Sequence, residues 1–78
     1  MPERPGPQDV VVWSVGHRSP EVEVFELRTR ASGLIERIEG TWTSAIERAK
    51  VFAERRHADV WKQDRTSYHR VWTFGQSR

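Results

Sequence analysis

Eight side chains in the second half of the chain combine cationic groups with aromatic rings: Arg55, Arg56, Trp61, Lys62, Arg65, Tyr68, Arg70 and Trp72. Guanidinium planes and rings together stack on nucleobases or hold an acidic peptide, so these are the candidate partner or nucleic-acid contacts. Read as an extended strand, 68–74 places Tyr68, Arg70, Trp72 and Phe74 on one parity and His69, Val71 and Thr73 on the other. One face of that strand is then aromatic with an arginine among the rings. The plainer reading is burial, in which the rings cover the sheet or meet a second subunit, because so small a domain needs its aromatics for its core.

Other chemistry is sparsely provided for. His17, His57 and His69 fall on a loop, a helix end and a strand, without the spacing of metal ligands. His57 reads instead as a group meeting the negative end of a helix. Ser14, Ser19, Ser44 and Ser67 occupy strand, turn or cap positions, and none stands in a nucleophile motif. Glu21 and Glu23 are alternate residues of a solvated strand face, which accounts for them without general acid catalysis. No catalytic, cofactor or metal residue is expected, and the chain reads as non-enzymatic.

The 78 residues and 9.2 kDa leave room for one domain with a small core. Only 36% of residues are hydrophobic, so the four tryptophans must carry much of the burial. There is no cysteine, which removes disulfides and thiolate metal sites and makes a cytoplasmic setting the expectation. The opening stretch Met1-Pro2-Glu3-Arg4-Pro5-Gly6-Pro7 lacks the apolar run of a signal peptide, and no later run reaches the length of a membrane span. The net charge of +2 hides a split, with five arginines against seven acids in 1–40 and eight bases against four acids in 41–78. Signs alternate within the basic half, as on a solvated surface, and never form the dense block of a polyanion-binding arm. Eleven arginines against two lysines suit phosphate, but genome composition produces the same ratio.

Periodicity supplies the elements that would position these side chains. Pro2, Pro5, Gly6 and Pro7 set residues 1–8 apart as a disordered or polyproline-like tail, with a domain over 9–75 and a tail at 76–78. Val10 to Val15 is β-branched and aromatic and reads as a strand closed by the turn-rich Gly16-His17-Arg18-Ser19-Pro20. In 21–30 the apolar parity switches from Val22 and Val24 to Phe25 and Leu27, which predicts a β-bulge or a strand covered on both faces. Leu34 to Glu39 makes a third strand, and the short connections imply an antiparallel meander. From Ala45 the period becomes helical, with Ala45, Ala49, Phe52 and Ala53 on one face over about fifteen residues. Ser44 and Glu47 fit a capping box, with Thr41 or Thr43 as alternative caps. Strands at 58–62 and 68–74, joined by 63–67, complete a β-β-β-α-β-β order. The expected fold is α+β: an antiparallel sheet with one amphipathic helix packed on one face.

Thr41 to Phe74, with Ala-Ile-Glu-Arg-Ala-Lys at 45–50, Ala53 and the strand Ala58-Asp59-Val60-Trp61, resembles a family of small bacterial domains of unknown function. That resemblance implies an α+β fold of meander, alanine-striped helix and closing hairpin, and no activity. Gly40-Thr41-Trp42 leading into Ser44-Ala45 and Ala49 is similar to the sheet-to-helix junction of integrase arm-binding and ethylene-response-type DNA-binding domains. Those domains contact DNA through Arg, Lys and Trp on the sheet, whereas Glu21, Glu23, Glu26, Glu36 and Glu39 here would repel phosphate.

Taken together, the residues point to a non-enzymatic binding or interaction module that self-associates as a homodimer through a sheet face or edge, or else meets another protein. The alternative is a nucleic-acid-binding module using the basic, aromatic C-terminal hairpin. No membrane association is expected.

Overall fold

In a computed structural model that describes residues 3–75, the elements follow in the order β1 (Val10–Ser19), β2 (Val22–Thr29), β3 (Gly33–Gly40), α1 (Trp42–Arg55), β4 (Val60–Asp64) and β5 (Ser67–Trp72). Among the described residues these strands form a five-stranded sheet in the order β3-β2-β1-β4-β5. The expected tail at 76–78 lies outside the described residues, as do Met1 and Pro2.

The α+β class and the β-β-β-α-β-β order are as the periodicity predicts. Neighbours β1 and β2, β2 and β3, and β4 and β5 run antiparallel, but β1 and β4 pair parallel, with Val10 opposite Val60 and Trp13 opposite Gln63. Parallel strands need a crossover, and α1 supplies it, carrying the chain from edge strand β3 over β2 and β1 to the far side of the sheet. No local pattern encodes that pairing.

The helix lies on the sheet through its small residues. Ala45, Ala49 and Ala53 have no exposure, and with Val10, Val12, Phe25, Leu27, Val60 and Trp72 they form the core. Phe52, Trp42, Ile35, Ile38 and Phe74 close its margins, and Trp42 meets Phe25 edge-on at 4.7 Å. Alanines at the contact bring the helix close to the strands, and the large rings fill the space at either side.

The helix starts earlier than Ser44. Thr41 is the N-cap: its hydroxyl accepts from Ser44 N at 3.2 Å, while Ser44 Oγ accepts from Thr41 N at 3.0 Å. Ser44 is thus the N3 partner of a box that begins three residues before the expected one, and Glu47 pairs instead with Lys50. Gly40 has φ 149°, and a Cβ there would stand 2.8 Å from Ser44 Oγ, so the close turn into the cap requires glycine. At the other end Ala58 N donates to Ala53 O and His57 N to Glu54 O, the paired bonds of a Schellman motif, with His57 at φ 54° and its ring stacked on Phe74.

Two further expectations are corrected, at β1 and at residues 3–8, and the expected covering of both faces of the second strand is met. β1 does not stop before Gly16; it continues to Ser19 by way of two register shifts against β2, leaving Pro20 and Glu21 as the turn. In β2 both faces are covered, Phe25 and Leu27 by the helix and Glu26 by arginines on the opposite side. Residues 3–8, expected as a tail apart from the domain, are bound to it: Pro5 is buried, Pro7 O accepts from Ala31 N at 3.1 Å, and Gly6 N donates to Asp9 Oδ2 at 2.8 Å.

Candidate functional site

The sheet face turned away from α1 is built from alternate residues of its strands. Register places Leu34, Arg28, Val11, Trp61 and Arg70 in one row across the sheet, and Arg37, Glu26, Trp13, Gln63 and Tyr68 in the next. Val11 forms the floor of a cleft of about 320 Å³, with Trp13, Arg28, Arg30, Gln63 and Tyr68 around it. Trp13 and Tyr68 are half-buried, and the Trp13 indole Nε1 is buried without a hydrogen-bond acceptor among the described residues.

The expected aromatic face of the last strand is split. Val60 lies opposite Trp72 but Trp61 lies opposite Arg70, so Val71 is an extra residue that reverses the parity of everything after it. Arg70 and Tyr68 face away from the helix, whereas Trp72, 8% exposed, belongs to the core beneath α1. Trp61 is on the open face yet only 1% exposed, since the Arg70 guanidinium lies 4.7 Å from its ring centroid and its indole N–H donates to Asp9 Oδ2 at 3.0 Å.

The remaining candidates do not converge. Lys62 is on the helix side, its ammonium 4.5 Å from the Trp42 ring centroid. Arg56 closes the helix, donating to Phe52 O at 3.2 Å. Arg55 is exposed in the last turn of α1, and Arg65 is exposed in the β4–β5 turn at φ 56°. Because α1 runs antiparallel to β4, these two arginines stand at opposite ends of a helix about 21 Å long. A continuous basic patch over 55–70 is therefore not formed. The structure draws Trp61, Tyr68 and Arg70 together and adds Gln63 from the same half of the chain and Val11, Trp13, Arg28, Arg30 and Arg37 from the other. Strand alternation in 10–13 was the available signal for Val11 and Trp13, but an unbroken apolar run conceals which residues face outward.

Charge on this face is met at Arg28, Arg37 and Arg70, which have carboxylate partners, while Arg30 donates to the Pro5 carbonyl. Glu26 is buried between Arg28, whose guanidinium hydrogen-bonds Oε1, and Arg37, whose Nη2 lies 2.7 Å from Oε2. The Arg37 hydrogen bond, opposed by burial and reinforced by Arg28, holds its carboxyl below the ordinary carboxylate value. Arg70 reaches Glu3 at 2.8 Å and Asp59 at 3.2 Å. On the helix side Ser14 Oγ donates to Glu23, and His17 Nε2 stands 3.7 Å from the same carboxylate. In a nucleophile triad the imidazole lies between hydroxyl and carboxylate, whereas here the carboxylate lies between the other two, so Ser14 has no base of that kind.

Among the described residues no group of three or more His, Cys, Asp or Glu side chains could hold a metal ion, and no helix is long and apolar enough to cross a membrane. Comparison with protein-family models, with curated proteins and with solved structures returned no match.

Proposed function

We propose that this protein is a non-enzymatic interaction module whose open sheet face receives a protein partner, with a second copy of the chain as the first partner to consider. The observation that carries this reading is the pairing of apolar and aromatic surface, Val11, Trp13 and Tyr68, with arginines that already have carboxylate partners. A polyanion draws its affinity from unneutralised cations, and here phosphates would have to compete with Glu26, Glu3 and Asp59 for Arg28, Arg37 and Arg70. Rings beside arginines whose charge is largely offset match the composition of protein interfaces. The scattering of Arg55, Arg56, Lys62 and Arg65 argues in the same direction.

Light scattering on the eluted chain, repeated with Tyr68→Arg, tests the reading. A dimer that Tyr68→Arg dissociates, with the helical circular dichroism retained, supports it. Binding to duplex or single-stranded nucleic acid at physiological salt, falling steeply as salt rises, would overturn it in favour of the nucleic-acid alternative.

A further inference from the structure

Segment 3–9 does not pair with either edge of the sheet; it crosses the strands on the open side. Glu3 is held by Arg70 of β5 at 2.8 Å, Pro5 O accepts from Arg30 Nη1 at 3.4 Å, and Pro7 O accepts from Ala31 N at 3.1 Å in the turn after β2. Strands β4 and β1 lie between those anchors. Three strand spacings amount to about 14 Å, and four residues in polyproline conformation rise about 12 Å. Residues 3–6 thus run extended across those strands, and 6–9 close a turn in which Asp9 N donates to Gly6 O at 3.2 Å. Pro5 fixes φ for that conformation and Pro7 opens the turn; both present carbonyls without N–H groups of their own, which suits a face that offers donors.

The segment fills only part of the track. The cleft of about 320 Å³ around Val11, Trp13 and Tyr68 stays open beside it, with the Arg28 side chain half exposed at its wall. A longer segment of the same kind would make contacts that residues 3–7 do not.

On the binding reading above, we infer that the open face recognises an extended segment of a partner protein in which an acidic residue is followed at the second and fourth positions by proline. Glu3-Arg4-Pro5-Gly6-Pro7 is the chain's own occupant of that track. The carboxylate goes to Arg70, the first proline is buried, and the two proline carbonyls take the Arg30 and Ala31 donors. The tethered segment competes at an effective concentration in the millimolar range, so an external segment gains when that tether is weakened.

The test is a fluorescence-anisotropy titration of a labelled peptide, Glu-Arg-Pro-Gly-Pro-Gln-Asp, against the full chain and against Glu3→Arg. Thermal melts by circular dichroism check that both chains fold. Glu3→Arg, which repels its own segment from Arg70, is expected to bind the peptide about tenfold more tightly. Replacing both prolines of the peptide by alanine is expected to weaken binding about tenfold. Equal affinity of the two chains, or of the two peptides, overturns the inference. No peptide binding, alongside a dimer that Tyr68→Arg still dissociates, overturns it and leaves the interaction reading standing; absence of both removes the two together. A dimer that Glu3→Arg dissociates without any gain in peptide affinity assigns the track to the same segment of a second copy and overturns recognition of an external partner.

Discussion

The guanidinium of Arg70 lies 4.7 Å from the centroid of the Trp61 ring, so that one candidate contact residue covers another. A cation over an indole is worth about 0.5–2 kcal/mol, depending on how dry it is. Arg70→Ala is expected to lower stability by about 1 kcal/mol in urea denaturation. Arg70→Lys should fall between the two, keeping charge but losing the planar stack and the fork that reaches Glu3 and Asp59. An Arg70→Ala chain as stable as the unaltered one would mean that Trp61 is buried without help from the cation.

The helix cap sets the costs of three neighbouring substitutions. Thr41→Ala removes the hydroxyl that accepts from Ser44 N and should cost about 1 kcal/mol. Glu47→Ala removes only an exposed pair with Lys50 and should stay within about 0.5 kcal/mol. Gly40→Ala should be costlier than Glu47→Ala, through its φ of 149° and the 2.8 Å approach to Ser44 Oγ. Chemical denaturation ranks them; a larger loss for Glu47 than for Thr41 would return the cap to Ser44.

Acid should destabilise the protein through Glu26. Its folded carboxyl titrates below the ordinary value of 4.5 because Arg37 and Arg28 hold the ionised form. The stabilisation is therefore fully present above about 4.5 and is lost as pH falls through the lower folded value. Glu36, held down by Arg48, acts in the same direction, but from an exposed pair that salt screens. Glu26→Gln should flatten the acid limb of a stability profile measured between pH 3 and pH 7, roughly the range that spans this titration, and cost about 1–3 kcal/mol at neutral pH. An unchanged acid limb would place the titration elsewhere.

Two rings of β5, four residues apart, should respond unequally to truncation. Trp72→Ala empties a core position and is expected to cost about 3–5 kcal/mol, while Tyr68→Ala, on the open face, should cost about 1 kcal/mol or less. Deleting Val71 removes the extra residue and leaves Arg70 opposite Trp61 and Trp72 opposite Val60 in regular alternation, so it should cost less than Trp72→Ala, and Val71→Thr, at an exposed position, should be nearly neutral. A deletion as damaging as Trp72→Ala would mean that the bulge itself is needed to seat Trp72.

What could be read from the residues was what local physics encodes. The change of period at Ala45, the alanine stripe and the meander of 10–40 each depend on neighbours in sequence, and they give the class and order of elements. The parallel contact of Val10 with Val60 depends on a crossover, and nothing at either position announces it. The bulge at Val71 is decided by where Trp72 finds space beneath α1, so strict alternation put Tyr68 and Trp72 on one face when tertiary packing puts them on two. Likewise the choice between Ser44 and the alternative cap Thr41 stayed open because Ser44 has the right chemistry for either role, and only the Gly40 turn decides between them. For the open face, half of the residues lie in 11–37, where charge alternation and an apolar run masked a surface that exists only once β1 sits between β2 and β4.

The central position of β1 has a bearing on synthesis. A nascent chain that has emerged only as far as Arg55 already holds β1, β2, β3 and α1, yet Val10 to Trp13 lack the neighbour that Val60 to Gln63 will provide. Until translation delivers those residues, the middle of the eventual sheet is a raw margin of unpaired amides beside apolar side chains, the kind of surface that recruits foreign strands. Release of an incomplete polypeptide at that stage would yield an aggregating fragment, so the final hairpin acts as the seal of the fold.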